Sequence, residues 1–419
     1  MKNTYIILAI ILFLLANCGS SVFSTPDLSD NTDPSDSSDP SDSSDSSDES
    51  DSSDNSENKT ISATARYQVD GNQIYHNGNR LNLFGINWFG FETNNHIFHG
   101  LWQVNYKDVL DTVQDLHFNA LRIPVCPETL AGATATSINT YENPELIGMD
   151  NALELLDFML EELDNRQIYF LLDIHRIECD VITELWHNEN YSQEDWIDDL
   201  VFMANRYKDI DHFMGLDLFN EPHGEATWGT GDATTDWKIA VEEAATEIVA
   251  VNDDILLFVE GIQENSLCSS TEYEHWWGGN IEPQECHAIA IEASKLVLSP
   301  HVYGPDVYWQ SYFSDGSFPT NMPAIWDEHF GFLSKELPIV LGEFGGKYGE
   351  GHAEDITWQN AVVDYMIAND MCSFFYWSLN PNSGDTGGIL DDDWATIKEA
   401  KYENLCRLMA HCAPSIDCL

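Results

Sequence analysis

Positive charge is what this chain has least of. Lysine and arginine together number 17 against 72 aspartates and glutamates, giving a formal net charge of −55. A surface of that sign repels phosphate backbones and anionic lipid, which argues against nucleic acids and acidic membranes as partners. It suits a neutral substrate. The excess does not come only from the Ser/Asp-rich stretch near the N-terminus, because most of the acids lie beyond residue 60. Long apolar runs are also missing. Ile6–Ala16 is uncharged and apolar, but it falls short of the about 20 residues that a membrane span needs. No Cys-x-x-Cys pair occurs and no His/Cys spacing suggests zinc. Asp391-Asp-Asp393 reads as a solvated acidic turn rather than a calcium site.

What remains is ordinary for a globular protein: 419 residues, 43% hydrophobic, and nine cysteines. Residues 1–17 read as an export signal, with Lys2 as its positive end. Leu15-Ala-Asn-Cys18 is similar to a bacterial lipobox, with Asn17 where a small residue is usual. Residues 18–60 form a Ser/Asp/Pro linker with no means of building a core, so disorder and charge-driven extension are expected. Two uses fit it: a tether from a lipid anchor at Cys18, or a solubilising leader. Residues 61–419 are expected to form a single catalytic domain.

Within that domain, apolar strand-like runs alternate with amphipathic stretches. The strand runs are 81–87, 120–124, 168–175, 214–220, 255–260, 296–301, 339–343 and 373–379. Helical stretches such as 149–166 and 237–251 lie between them, with Asp150 and Asp236 as expected helix starts. Eight such units predict a (β/α)8 TIM barrel, an α/β fold whose chemistry sits at the C-terminal strand ends. Val69-Asp-Gly-Asn and His76-Asn-Gly-Asn carry turn chemistry and predict a small N-terminal β-hairpin.

Two of the strand runs end in glutamate. Leu216-Asp-Leu-Phe-Asn-Glu-Pro-His223 stops being strand-like at Pro222, which has no backbone donor for a central strand. Pro338-Ile-Val-Leu-Gly-Glu343-Phe-Gly-Gly346 ends among glycines that admit a close ligand. A lone strand-end glutamate is more often a cap or a solvated residue. Two of them across a barrel mouth, about 5–5.5 Å apart, suit a retaining glycosidase.

With these motifs the chain resembles glycoside hydrolase family 5, the family of many cellulases, from about Leu81 to Asn380 with a tail to Leu390. The resemblance implies Glu221 as general acid/base and Glu343 as nucleophile. It implies support from Arg122 in Leu121-Arg-Ile-Pro124, His175 in Leu172-Asp-Ile-His175, and Asn220. It adds His301 and Tyr303 in Ser299-Pro-His-Val-Tyr303, and Trp377 in Phe375-Tyr-Trp-Ser378. It also places the N-terminal hairpin across the closed end of the barrel. The loops Gly85–Thr93, His99–Trp102, Trp276–Asn280 and Asp385–Leu390 resemble the bacterial endo-β-1,4-glucanase subfamily. Trp88, Trp276, Trp277 and Trp377 are then candidates for stacking on successive glucose rings, and Trp228, Trp309 and Trp326 are weaker candidates for the same groove.

The expected activity is double-displacement hydrolysis of internal β-1,4 bonds in cellulose or soluble β-glucan. Mannanase or xyloglucanase activity is the alternative within the family. The expected mechanism uses no cofactor and no metal, and the expected state is a monomer, secreted or tethered at the outer surface. A non-catalytic glycan-binding barrel would have lost one glutamate, and both are present. A Schiff-base aldolase would need a strand-end lysine, and a metal-dependent hydrolase would need clustered His and Asp at strand ends. The sequence reads as having neither. If Cys18 is lipidated, eight cysteines remain for disulfides. Cys126 with Cys179 and Cys268 with Cys286 are candidate pairs, while Cys372, Cys406, Cys412 and Cys418 leave their connectivity open.

Overall fold

A computed structural model of the chain describes residues 65–264, 268 and 275–418. The expected signal, linker and Cys18 anchor lie outside these residues. Among those described, the strand-like runs are strands. β1 (Tyr67–Asp70), β2 (Gln73–His76) and β3 (Asn79–Leu81) make a small antiparallel sheet in the order β1-β2-β3. Its second turn has positive φ at Asn77 (49°) and Gly78 (76°), the requirement of a tight hairpin turn. The expected hairpin therefore carries a third strand.

The remaining strands are parallel. They are β4 (Phe84–Asn87), β5 (Ala120–Val125), β6 (Tyr169–Ile174), β7 (Phe213–Asp217), β8 (Leu256–Val259), β9 (Leu296–Leu298) and β10 (Phe374–Tyr376), ordered β10-β4-β5-β6-β7-β8-β9. Nearly every residue in them is buried, as expected of strands covered on both faces. The gap between β9 and β10 is closed by residues 338–344, which contain the expected seventh strand, 339–343. Parallel bridges join Leu298 to Ile339 and Leu341 to Phe374. Backbone bonds run from Val340 N to Leu298 O (2.9 Å) and from Phe375 N to Leu341 O (2.7 Å). This segment pairs through isolated bridges rather than a continuous ladder, but it makes the eighth stave of a TIM barrel.

Helices pack outside the barrel. Ala152–Asn165 lays Leu155, Leu156, Met159, Leu160 and Leu163 on the barrel side, the spacing of one helical face. Its cap is Asn151, whose side chain accepts from Glu154 N at 3.1 Å, and not Asp150 as expected. Asp236 stands before the helix Trp237–Val251 as predicted, but its carboxylate accepts from Gly229 N and Gly231 N instead of capping.

Inside the barrel, the bottom layers are apolar. Leu83, Ala120, Leu171, Met214, Leu256, Phe258, Val297, Val340 and Phe375 meet Tyr67, Val69 and Ile74 from the small sheet. That sheet thus plugs the end at which the parallel strands begin. Polar side chains are confined to the opposite end. Disulfides join Cys126 to Cys179 and Cys268 to Cys286, the two expected pairs, and Cys372 to Cys412 and Cys406 to Cys418.

The interior leaves no room at Gly85. A Cβ there would lie 2.2 Å from the Phe375 ring and 2.6 Å from Phe374 O. Gly316 is open, with nothing within 4 Å. Gly85→Ala is predicted to cost about 1–3 kcal/mol by overpacking, read as a lower urea midpoint at unchanged slope. Gly316→Ala should stay within about 0.5 kcal/mol of the parent. Equal midpoints for the two variants would contradict the tight interior.

Candidate active site

The polar end of the barrel is built around Arg122. This residue sits on β5 and is 0% exposed. Its Nε donates to Asp217 Oδ2 at 2.8 Å, and Nη1 donates to Asn87 Oδ1 at 3.1 Å and to Glu343 Oε1 at 2.6 Å. Nη2 donates to Asn220 Oδ1 at 3.0 Å and to Glu260 Oε1 at 3.2 Å, and lies 3.0 Å from Asp173 Oδ2. Four carboxyl groups from strand ends therefore share one guanidinium. Arginine suits this because it remains charged when buried and offers five donors in a plane.

Glu343 is held from two sides. Arg122 takes Oε1, and the Tyr303 hydroxyl donates to Oε2 at 2.5 Å. Burial raises its pKa, the nearby Glu221 charge adds to that, and His301, Arg122 and the Tyr303 hydrogen bond pull it back down. Glu221 has fewer donors. Burial pushes it up to about 7 against the lowering pull of Arg176, His223 and Arg122. An oxygen of Glu221, a nitrogen of His301 and an oxygen of Glu343 all lie within 4.8 Å of one another. His301 Nδ1 is 3.2 Å from Glu221 Oε1. The arrangement therefore pairs a carboxyl raised to about 7 with a second carboxyl, also raised by burial, that is braced by two donors. The short spacing fits the retaining geometry rather than the 6.5–9.5 Å or so that admits a water in inverting enzymes.

His175 is buried, and burial, joined by the neighbouring Arg176, Arg122 and His301, lowers its pKa well below the usual range, so its imidazole is neutral. Its Nδ1 is 2.6 Å from Asp173 Oδ2. Its ring stacks on Trp377 at 5.5 Å and 5°. Trp377 stacks in turn on Phe89 and donates from Nε1 to Ser383 Oγ at 3.2 Å. His175, Trp377 and Ser383 line an open cleft of about 1450 Å³, together with Asn220, Glu221, Trp276, Trp277, Tyr303 and Glu343. Trp277 is 38% exposed and lies flat against His223 at 3.8 Å. Trp276 faces Tyr303 edge-on at 5.8 Å.

Four of the expected sugar platforms are elsewhere. Trp88 is 0% exposed, stacks on Phe98 at 4.0 Å, and spends its Nε1 on His99 O. It is a packing residue, because the chain turns inward after β4 and carries the indole under the rim. Trp228 and Trp326 are likewise buried, and Trp309 is exposed beside His352 rather than in the cleft. The expectation of no clustered His and acid at strand ends also needs correction. His301 belongs to one group with Glu221 and Glu343, and to a second with Asp217 and Glu260. Arg122 contacts Asp217, Glu260 and Glu343 directly, so a guanidinium supplies the positive charge there.

Sequence reasoning missed Asp173, Asp217, Glu260 and Asn87. The signal was present: Asp173 and Asp217 interrupt otherwise apolar runs, and Glu260 ends one. Acids buried in a barrel interior require a counter-charge, and Arg122 is the arginine on the strand beside them.

Comparison with known proteins shows the family to which the chain belongs. Residues 76–383 match the family model described as Cellulase (glycosyl hydrolase family 5). The chain is 50% identical over 325 residues to the major extracellular endoglucanase of Xanthomonas campestris pv. campestris, covering 77% of this chain and 67% of that protein. It is 40% identical over 353 residues to an endoglucanase of Paenibacillus polymyxa, covering 83% and 88%. The solved catalytic domain of the Xanthomonas enzyme superposes with a TM-score of 0.80 at 48% identity, over 82% of this chain and all of that one. An endocellulase from Pyrococcus horikoshii, solved with cellotetraose, gives 0.80 at 44% identity, over 82% and 98%.

The buried acids predict a pH dependence of stability. Burial raises Asp173 and Glu260 well above the carboxylate range, Asp217 to about 6 and Glu221 to about 7. The native state therefore keeps protons that the unfolded chain has already released. That contribution is complete below the unfolded carboxylate pKa of about 4 and is lost as pH rises through about 7. Buried His99, His175, His275, His301 and His329 are held below the imidazole range and act in the opposite sense over the same window. The acid contribution is therefore read as a difference between two proteins: Glu260→Gln should lose less thermal midpoint than the parent, or gain more, between pH 5 and pH 8. Calorimetry showing the same change in both would contradict retention of a proton by Glu260.

Proposed function

From membership of glycosyl hydrolase family 5, to which this chain belongs, we infer that it is a retaining endo-β-1,4-glucanase acting on cellulose or soluble β-glucan. The observation that carries the reading is the pairing of Glu221, raised to about 7 by burial, with Glu343, braced by Arg122 and Tyr303 within the same short-range cluster. The relatives named endoglucanase and the cellotetraose complex of the Pyrococcus endocellulase support the substrate class. An open cleft, rather than a closed pocket, suits cleavage within a chain.

In this reading a glucan lies along the cleft with one sugar against the Trp377 indole. Glu343 attacks the anomeric carbon while Glu221 gives its proton to the glycosidic oxygen, and the leaving chain departs as an alcohol. The Arg122 and Tyr303 donors keep Glu343 ionised for attack. Asn220 turns its Oδ1 to Arg122, which leaves its amide nitrogen for the sugar 2-hydroxyl, a contact that strengthens in the transition state. Glu221, now ionised, takes a proton from water as that water opens the glycosyl ester. Trp276 and Trp277 extend the apolar wall of the cleft.

Residues 61–419 form the catalytic domain in this proposal, residues 1–17 are removed on export, and residues 18–60 link the domain to a lipid on Cys18. Four disulfides and an extracellular relative support export. Metabolic labelling with a radioactive fatty acid should mark the protein and not its Cys18→Ser variant. Unlabelled wild-type protein would leave plain secretion.

The activity is tested on carboxymethyl cellulose, glucomannan, xyloglucan and xylan. Glu221→Gln and Glu343→Gln are each expected to lower kcat by at least about 10³-fold, and the first product should be the β-anomer by NMR. Wild-type activity in either variant would remove the glutamate assignment, an α-anomer would remove the double displacement, and highest turnover on glucomannan or xyloglucan would replace the glucanase label.

A further inference from the structure

Glu221 is held in an unusual backbone state. Its φ is +55°, a left-handed conformation that few non-glycine residues adopt and that costs on the order of 1–3 kcal/mol unless its surroundings enforce it. What enforces it is on the neighbouring strand end. The backbone N–H of Glu221 donates to Glu260 Oε2 at 2.8 Å. The other oxygen, Oε1, lies 3.2 Å from Arg122 Nη2 and 3.1 Å from His301 Nε2. Glu260 is 0% exposed and does not line the cleft. It therefore bridges the Arg122–Glu343 half of the site and the Glu221–His301 half from behind.

The wall carrying the tryptophans closes over the same contact. Gly278 has φ +63°, and a Cβ there would lie 2.0 Å from Glu260 Oε2 and 3.1 Å from Glu221 Cα. Gly278 N donates to Pro222 O at 3.3 Å, and Gly278 O accepts from Gly261 N at 2.7 Å. Glycine at 278 is thus what lets the loop seal the Glu260–Glu221 bond from solvent.

We propose that Glu260 is a positioning residue for the general acid: it fixes the left-handed backbone of Glu221 so that the acid's carboxyl is presented beside Glu343, and it does so without touching substrate. The inference rests on the retaining-glycosidase reading of the site. The groups facing Glu260 are Arg122, Asp217, Asp173, Glu221 and His301, three of them acids. Burial and these acids raise the Glu260 carboxyl well above its ordinary range despite Arg122. Glutamine keeps one acceptor oxygen for the Glu221 N–H and can turn its amide nitrogen toward His301 Nε2, whereas alanine leaves that N–H without its acceptor.

The test uses the full chain with Glu260→Ala, Glu260→Gln and Gly278→Ala, assayed on aryl β-cellobiosides with a poor leaving group (phenol) and a good one (2,4-dinitrophenol). A misplaced acid harms glycosylation only where the leaving group needs a proton, but as the base it slows deglycosylation of both substrates, so kcat/KM, which reports glycosylation alone, is the quantity compared. Glu260→Ala is expected to lower kcat/KM on the phenyl substrate by about 10²-fold, the cost of a displacement near 1 Å. On the dinitrophenyl substrate kcat/KM should stay close to wild type, while kcat and KM fall together. Glu260→Gln should restore most of the phenyl rate, and Gly278→Ala, which displaces the carboxyl without removing it, should reproduce the alanine defect. Equal losses on both leaving groups, or wild-type kinetics in Glu260→Ala, would overturn the positioning role. If Glu260→Ala does not fold, the leaving-group ratio of Gly278→Ala decides by the same criterion. Failure of the underlying reading would appear separately, as a wild-type enzyme inactive on both cellobiosides.

Discussion

A single buried guanidinium organises the reactive end of this barrel. Arg122 lies at the centre of Asp173, Asp217, Glu260 and Glu343, with no access to water. In a weakly polarisable interior one positive charge does not offset four negative ones, and ionising every carboxyl would cost several kcal/mol for each uncompensated charge. Burial accordingly pushes the pKa of all four carboxyls upward, and the donors that each one meets work against that push. Glu343 has the arginine and the Tyr303 hydroxyl, while Glu221 lies at the margin with an imidazole. The chemistry proposed for the pair depends on that asymmetry.

The same constraint explains the layering of the barrel. Strands enter through an apolar plug made with Tyr67, Val69 and Ile74 and exit into the charged cluster. The polar groups are admitted only where Arg122 can reach them. Placing an acid one pleat lower would bury it among Leu171, Leu256 and Phe258, where no donor exists to meet it.

Much of this was legible in the chain. The alternation of apolar runs gave all eight staves, and the Glu-Pro and Gly-Glu-Phe-Gly strand ends marked where two carboxyls would converge. The segment 338–344 read as a strand because Ile339, Val340 and Leu341 are apolar, yet it pairs only through bridges. The cysteine pairs next to sequence-identified strands and loops were readable, while the pairs at the C-terminus depend on the packing of the helix Glu399–Cys412 and were not. Trp88 shows another limit. An indole's size, aromaticity and place after a strand are the same whether it faces sugar or the neighbouring Phe98 ring, and only the turn of the loop decides. Asp173, Asp217 and Glu260 escaped notice for a related reason: an acid within a strand declares its need for a cation but not which one supplies it.

The small sheet at the barrel's base has a topological consequence. Arg66 is fastened there, through its N–H to Asp254 and its guanidinium to Ile210 O, at the ends where the parallel strands start. The small sheet thus stands at the opposite end of the barrel from the groove, clear of a polymer many sugars long lying across the strand ends.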